Sequence, residues 1–337
     1  MAAGYRQQRA RTDESWRVVA AEQSGAISRE QAVACGLTEG AVDALLRAGR
    51  WSKLHAGVYA TFAGPVPART RTWAALLHAG DDAALGGGSA LWVWGVVSRP
   101  PEHVQVQVPN GRKVVRVPGV RVTRRRRLRG LVHPSAVPRR LRLEEAVLDL
   151  AGETDETGVV DVVLLATGSR RTTSDRLRSA LSDRPRHRHR QLLTEILGEA
   201  AEGVQSALER RFRRTTERAH GLPRGERQLR DTLTGRTGAP RHRYRDLRYR
   251  RWRLVIELDG LEAHPERLKW QSRLRDNSVV VTSDDQVLQY GWREVVSEPC
   301  AIAADIVQVL WRHGWRGRPV PCGAGCPIER ILGLPTV

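Results

Sequence analysis

Lysine is nearly missing from this chain. Of its 56 basic residues, all but Lys53, Lys113 and Lys269 are arginine. Methionine occurs 1 time, phenylalanine 2 times and cysteine 4 times in 337 residues. Each scarcity excludes something. The four thiols, Cys35, Cys300, Cys322 and Cys326, are too few and too clustered at one end to form a disulfide framework, so the fold rests on its core. No run of about 18 apolar residues occurs, which argues against a membrane-spanning helix or a membrane partner. The opening MAAGYRQQRARTDESW carries charge without an apolar segment, so no secretory signal is expected and the cytoplasm is the expected compartment. With phenylalanine scarce, the 10 tryptophans are the general core aromatic. Acids are also short, 37 against 56 bases, leaving a formal charge of +19. Exchanging lysine for arginine does not create that surplus. A polyanion partner is expected, DNA ahead of RNA because no RNA-specific motif is present, since arginine both neutralises and forks onto phosphate.

Such a length holds two or three domains, and the pattern marks out five segments. Residues 13–60 predict three short helices and a wing. SREQAVACG starts on Ser28 as N-cap and stops at Gly36, TEGAVDALLRAG runs from Thr38 to Gly49, and WSKLHAGVYAT alternates around a glycine turn. This spacing suggests a winged helix-turn-helix, with Arg47 and Lys53 as phosphate contacts. Glu39 and Asp43 stand where a groove-reading helix favours Arg, Asn or Gln, so a protein-contact role competes with DNA binding. Residues 61–152 predict an α/β module: helices in RTRTWAALLHAG and AALGGGSALWVWGV, strands in HVQVQVP and GVRVTRRRRLRG, then an amphipathic helix through Leu143, Val147 and Leu150. Its four consecutive arginines, Arg124, Arg125, Arg126 and Arg127, form either a solvated face or a track for a phosphate backbone. Residues 153–201 predict a helical linker broken at Pro185, in which His187 and His189 are badly placed to share one metal. Residues 202–316 carry the candidate chemistry, and 317–337 form a tail containing CGAGC.

Within 202–316, the segment RLVIELDG (253–260) looks like an interior strand that ends in Glu257 and Asp259 on one face. RHRYRDLRYRRWRLVIELDG predicts two antiparallel strands. With the turn centred between Arg250 and Arg251, paired positions sum to about 501, which places Asp246 opposite Val255 and one diagonal step from Glu257. Leu254, Ile256 and Leu258 face the other way and fix the register by burial. Carboxylates so spaced can converge on one divalent cation through hard oxygen ligands. The alternative is a surface hairpin whose acids pair with the surrounding arginines. A helix, GVQSALERRFRRTTERAHG, precedes the hairpin and carries Glu209 beside an apolar stripe of Val204, Leu208 and Phe212. Trp270 and Trp292 read as packing ahead of base stacking. The thiols Cys322 and Cys326, with only Cys300 and His313 near in sequence, read as an incidental or redox-labile pair ahead of a zinc site.

This layout, a helix with Glu209, a strand with Asp246, a strand with ELD at 257–259, then HPERLKWQSRLRD and LQYGWREVV, resembles the PD-(D/E)XK nuclease fold over roughly 200–316. It most resembles the branch related to very-short-patch-repair endonucleases, and residues 20–150 are similar to the AbiEi-type antitoxin. The resemblance implies an α+β chain: a winged helix-turn-helix, an α/β module, and a restriction-endonuclease-like mixed sheet flanked by helices. It implies a Mg²⁺- or Mn²⁺-dependent DNA endonuclease in which Asp246, Glu257 and Glu209 hold the metal. It also implies a toxin or repair partner of unknown identity. His264 resembles a histidine placed to protonate the leaving oxygen. Asp259 replaces the lysine of the family's signature, so the site either binds a second metal, borrows Lys269 or Arg273, or is inactive. The competing expectation is a DNA-binding regulator or antitoxin-type protein with a degenerate nuclease core.

Overall fold

The computed structural model describes residues 15–198, 207–234, 240–259 and 285–335, and for 227–234 and 240–246 the backbone only. It is an α+β fold that separates into two compact units, Met1–Leu150 and Ala151–Val337.

The first unit opens with a helix over 15–22 (α1), then β1 (Ala26–Ser28), α2 (Arg29–Ala34), α3 (Glu39–Arg47), β2 (Ser52–His55) and β3 (Val58–Ala60). Ser28 caps α2 in a reciprocal box: its hydroxyl accepts from the Gln31 N–H at 3.0 Å, and the Gln31 side chain accepts from the Ser28 N–H at 3.0 Å. Thr38 caps α3 by accepting from the Ala41 N–H at 3.2 Å. The strands form an antiparallel sheet in the order β1-β3-β2. β1 is absent from the sequence reading, because three residues give too short an alternation to register. Trp16, Ile27, Val42, Trp51 and Tyr59 form the core, with Trp16 set edge-on to Trp51 at 5.1 Å. That arrangement of aromatics adds to what burial alone supplies.

The rest of this unit is α4 (Ala68–Ala79), β4 (Ala84–Leu85), α5 (Gly87–Val93), β5 (Val104–Pro109), β6 (Val120–Arg125), α6 (Leu128–Leu131) and α7 (Leu143–Glu153), whose last turn passes the boundary at Leu150. The sheet order is β4-β5-β6, with β5 and β6 parallel. The glycines that open α5 are required by close packing on β5. At Gly87, with φ of 44°, a Cβ would stand 2.6 Å from the Gln105 carboxamide oxygen.

In the second unit, α8 (Glu156–Gly168), α9 (Ser174–Ser182) and α10 (Arg190–Leu197) occupy the stretch expected as a linker. They are packed helices, because Val159, Val160, Val163, Leu177, Leu193 and Ile196 are fully buried. The polar break SDRPRHRHRQ hid that stripe. α11 (Ala207–Phe212) follows, and instead of continuing as one α-helix it widens into a π-helical turn at Arg213–Arg218. That turn buries Glu217, which accepts from the Tyr249 hydroxyl at 2.7 Å and from the Gly225 N–H at 3.0 Å.

Strands β7 (Glu226–Thr234), β8 (Pro240–Tyr249), β9 (Leu254–Asp259) and β10 (Gln286–Gly291) form one sheet, order β10-β9-β8-β7. Only β10 runs parallel to its neighbour. The expected 501 register is corrected. Leu247 pairs with Ile256, Arg248 with Val255 and Tyr249 with Leu254, a sum of 503 in each case. The cause is the turn, a 3-10 turn at Arg250–Trp252 followed by Arg253 in the left-handed region (φ 48°), which makes a four-residue loop centred one position later. The shift is even in pairing sum, so every side chain keeps its face. Helices α12 (Trp292–Ser297), α13 (Pro299–Arg312) and α14 (Ile328–Ile331) complete the unit.

Candidate active site

β9 is interior: Leu254, Val255 and Ile256 are fully buried, and Glu257 is only 7% exposed. Both faces are covered, unlike the one-sided burial that alternation implies. A carboxylate in such a place is costly unless polar groups meet it. One comes from the neighbouring strand. Gln289, directly across in the parallel register, donates its side-chain amide to Glu257 Oε2 at 3.1 Å. The strand of Asp246 is paired alongside: the β8–β9 ladder runs to Leu247 and Ile256, the residues next to Asp246 and Glu257. Glu209 is buried on α11, and α11 packs against β9. The three elements that carry the expected metal ligands are thus neighbours. Asp259 closes β9, half buried, opposite Gly291. The side chain of Asp246, and His264 and Lys269 entirely, lie outside the described residues.

Beside this cluster the structure adds a charge pair that the sequence did not disclose. Arg248, two residues after Asp246 on β8, bonds Asp285 Oδ2 at 2.6 Å, and Asp285 is 7% exposed. Trp292 is 1% exposed and is a packing residue; Trp270 lies outside the described residues.

The tail cysteines are gathered with two further side chains that could ligate a metal. Cys322 and Cys326 meet Cys300 near the start of α13, and the fourth member of the group is His220, at the end of the turn after α11, while His313 is not among them. His220 is 106 residues from Cys326, so no local spacing signals it.

In the first unit the expected nucleic-acid contacts divide. Arg125 is spent internally: it pairs with the buried carboxylate of Asp149 and donates to Gln107 Oε1 at 2.9 Å. Arg124, Arg126 and Arg127 are exposed around the end of β6, and Arg47 and Lys53 are exposed on α3 and β2. The two acids of α3 have a local purpose. Glu39 and Asp43 both clasp Arg29 of α2, Asp43 at 2.7 Å, which holds the Arg29 guanidinium well above its ordinary pKa. They tie α2 to α3.

No protein-family model matches the chain, and no curated protein matches it. Among solved structures it is similar to the RV2827C protein from Mycobacterium tuberculosis, 19% identical with a TM-score of 0.35 over 56% of this chain and 77% of that one. A likeness so slight carries no functional argument. Among the described residues, no helix is long and apolar enough to cross a membrane.

Proposed function

We propose that the second unit is a metal-dependent endonuclease that hydrolyses DNA phosphodiester bonds, served by a DNA-binding first unit and working in the cytoplasm. The observation that carries it is Glu257: a carboxylate buried in an inner strand of a mixed sheet, with the strand of Asp246 paired alongside and the helix of Glu209 packed on the same strand. The donor set suits Mg²⁺ or Mn²⁺, since carboxylate oxygens are the hard ligands these ions take. When bound, the ion would neutralise phosphate charge and lower the pKa of a water. Glu257, Asp246 and Glu209 would hold it. Glu257 is fixed for that purpose, because Gln289 holds one of its oxygens from the adjacent strand. Asp259 stands where a cation would have stabilised the phosphorane, and Lys269 is the residue we assign to that charge, with His264 protonating the leaving oxygen.

Asp259 also favours a second reading, a DNA-binding regulator of antitoxin type whose nuclease core is scaffold, with or without a toxin or repair partner. The experiment separates the two. The full chain is incubated with supercoiled, linear and single-stranded DNA in Mg²⁺, Mn²⁺ or chelator. The enzyme reading expects metal-dependent cleavage. It expects Glu257→Gln to reduce that cleavage by at least about 100-fold with folding intact, since even outer partners of a metal contribute about 10- to 100-fold. Binding that ignores the metal, with no substrate cut, leaves the regulator.

A further inference from the structure

His220, Cys300, Cys322 and Cys326 bring one nitrogen and three sulfurs within 4.8 Å of one another. Three of the six separations are 3.6–3.7 Å: Cys300 to Cys322 is 3.6 Å, Cys300 to Cys326 is 3.7 Å, and Cys326 to His220 Nε2 is 3.6 Å. A tetrahedron with Zn–S near 2.3 Å and Zn–N near 2.0–2.1 Å has S···S edges of about 3.8 Å and S···N edges of about 3.6 Å. These three edges match that tetrahedron, and the other three lie within 4.8 Å. A redox pair uses two thiols, and here a third thiol and a histidine nitrogen join them.

The histidine is oriented for the same purpose. Its ring is fully buried, and Nδ1 lies 3.0 Å from the Thr216 carbonyl oxygen. A carbonyl only accepts, so Nδ1 carries the proton and the Nε2 lone pair faces the sulfurs. This is the outer hydrogen bond that metal-binding histidines use to fix their tautomer.

We propose that these four residues hold a structural Zn²⁺ ion. Four protein ligands complete a tetrahedral shell, so no position remains for water and the site is structural. Soft thiolates select zinc against Mg²⁺, which separates this ion from the one assigned to the carboxylates. On binding, each thiol releases its proton to solvent as a Zn–S bond forms, and neutral His220 binds without releasing one. The ion joins three pieces of the unit: the turn that ends the Glu209 helix, the first turn of α13, and the tail. The tail is already laid against the histidine, because the Val320 N–H donates to the His220 carbonyl at 3.0 Å. It is folded on itself as well, with Arg318 bonding Glu329 at 3.0 Å.

The test is elemental analysis of the full chain, purified without a metal-affinity tag. One zinc per chain is expected, and replacement by Co²⁺ should give the ligand-field bands of a tetrahedral, thiolate-rich site. Cys322→Ser, at the most exposed ligand, should keep the fold and bind zinc at least about 100-fold more weakly, as loss of a whole ligand exceeds loss of an outer partner. A native chain that holds no zinc and takes none from a zinc buffer would overturn the proposal. So would three thiols that react with a thiol reagent equally fast with and without zinc. Because zinc content is read without nucleic acid, a chain that keeps zinc but cuts no DNA refutes only the nuclease reading.

Discussion

Tyr249 is 2% exposed, and its hydroxyl donates to Glu217, itself 3% exposed. Removing that hydroxyl takes a donor from a buried carboxylate without changing the shape of the core. Hydrogen bonds to charged groups contribute about 1.5–3 kcal/mol, so Tyr249→Phe should lower the unfolding free energy of the second unit by about that much, measured by urea titration. In the first unit, His55 packs its ring 5.1 Å from that of His78. Burial first, and the charge of His78 second, hold the His55 pKa below its usual 6.5. The unfolded chain therefore takes up this proton at a higher pH than the folded chain. The contribution is fully present above the unfolded value and is lost as pH falls through the folded one. A Tm series over about pH 7 to 5 should fall, and should fall less steeply in His55→Gln. Equal slopes in the two proteins would remove His55 as the source.

At the scale of elements, helices and faces were legible where the signal is local. Ser28 and Thr38 sit as N-caps where their side chains were expected to start helices, and the parity of β9 is correct, with Leu254, Ile256 and Leu258 sharing a face. Loop geometry was not legible. A two-position error in pairing sum came from Arg253 adopting a left-handed conformation, which no non-glycine residue advertises. The consequence falls on the candidate site, since β8, which carries Asp246, is shifted by two positions along β9 from the register expected. Glu209 and Glu257 were legible as a pair only through a resemblance, because residues from a helix and a strand have no fixed sequence spacing. The caps are open to test. Thr38→Ala should cost about 0.5–2 kcal/mol, as loss of an N-cap does, and Thr38→Asn should restore most of it. The midpoint is read from the near-ultraviolet circular dichroism that Thr38→Ala shifts and Thr38→Asn restores. An unchanged midpoint would mean that Arg29, clasped by Glu39 and Asp43, sets the start of α3 on its own.

At the scale of the whole molecule the surplus charge of +19 is the strongest single fact, and also the least local one. Its functional meaning depends on which arginines are already engaged inside the protein. Arg125 is, through the buried carboxylate of Asp149, whereas Arg126 is exposed at the end of the same strand and the exposed Arg124 donates only its Nε–H to the Arg112 carbonyl at 3.1 Å. If this edge follows a phosphate backbone, every contact releases counterions, and the slope of log K against log salt changes by about 0.9 per phosphate neutralised on duplex DNA. Arg124→Gln with Arg126→Gln should weaken binding on all sequences alike and flatten the slope by nearly 2, about twice that contribution, with the Tm unchanged. Arg125→Gln should do the reverse. It withdraws the cation from a carboxylate whose side chain is only 7% exposed, so the Tm should fall while the salt slope of the folded protein stays. The opposed outcomes matter because a general loss of positive charge would move all three variants in the same direction. A slope that ignores the double variant would take this edge out of the proposed DNA-binding surface and leave the charge to Arg47 and Lys53, exposed on α3 and β2.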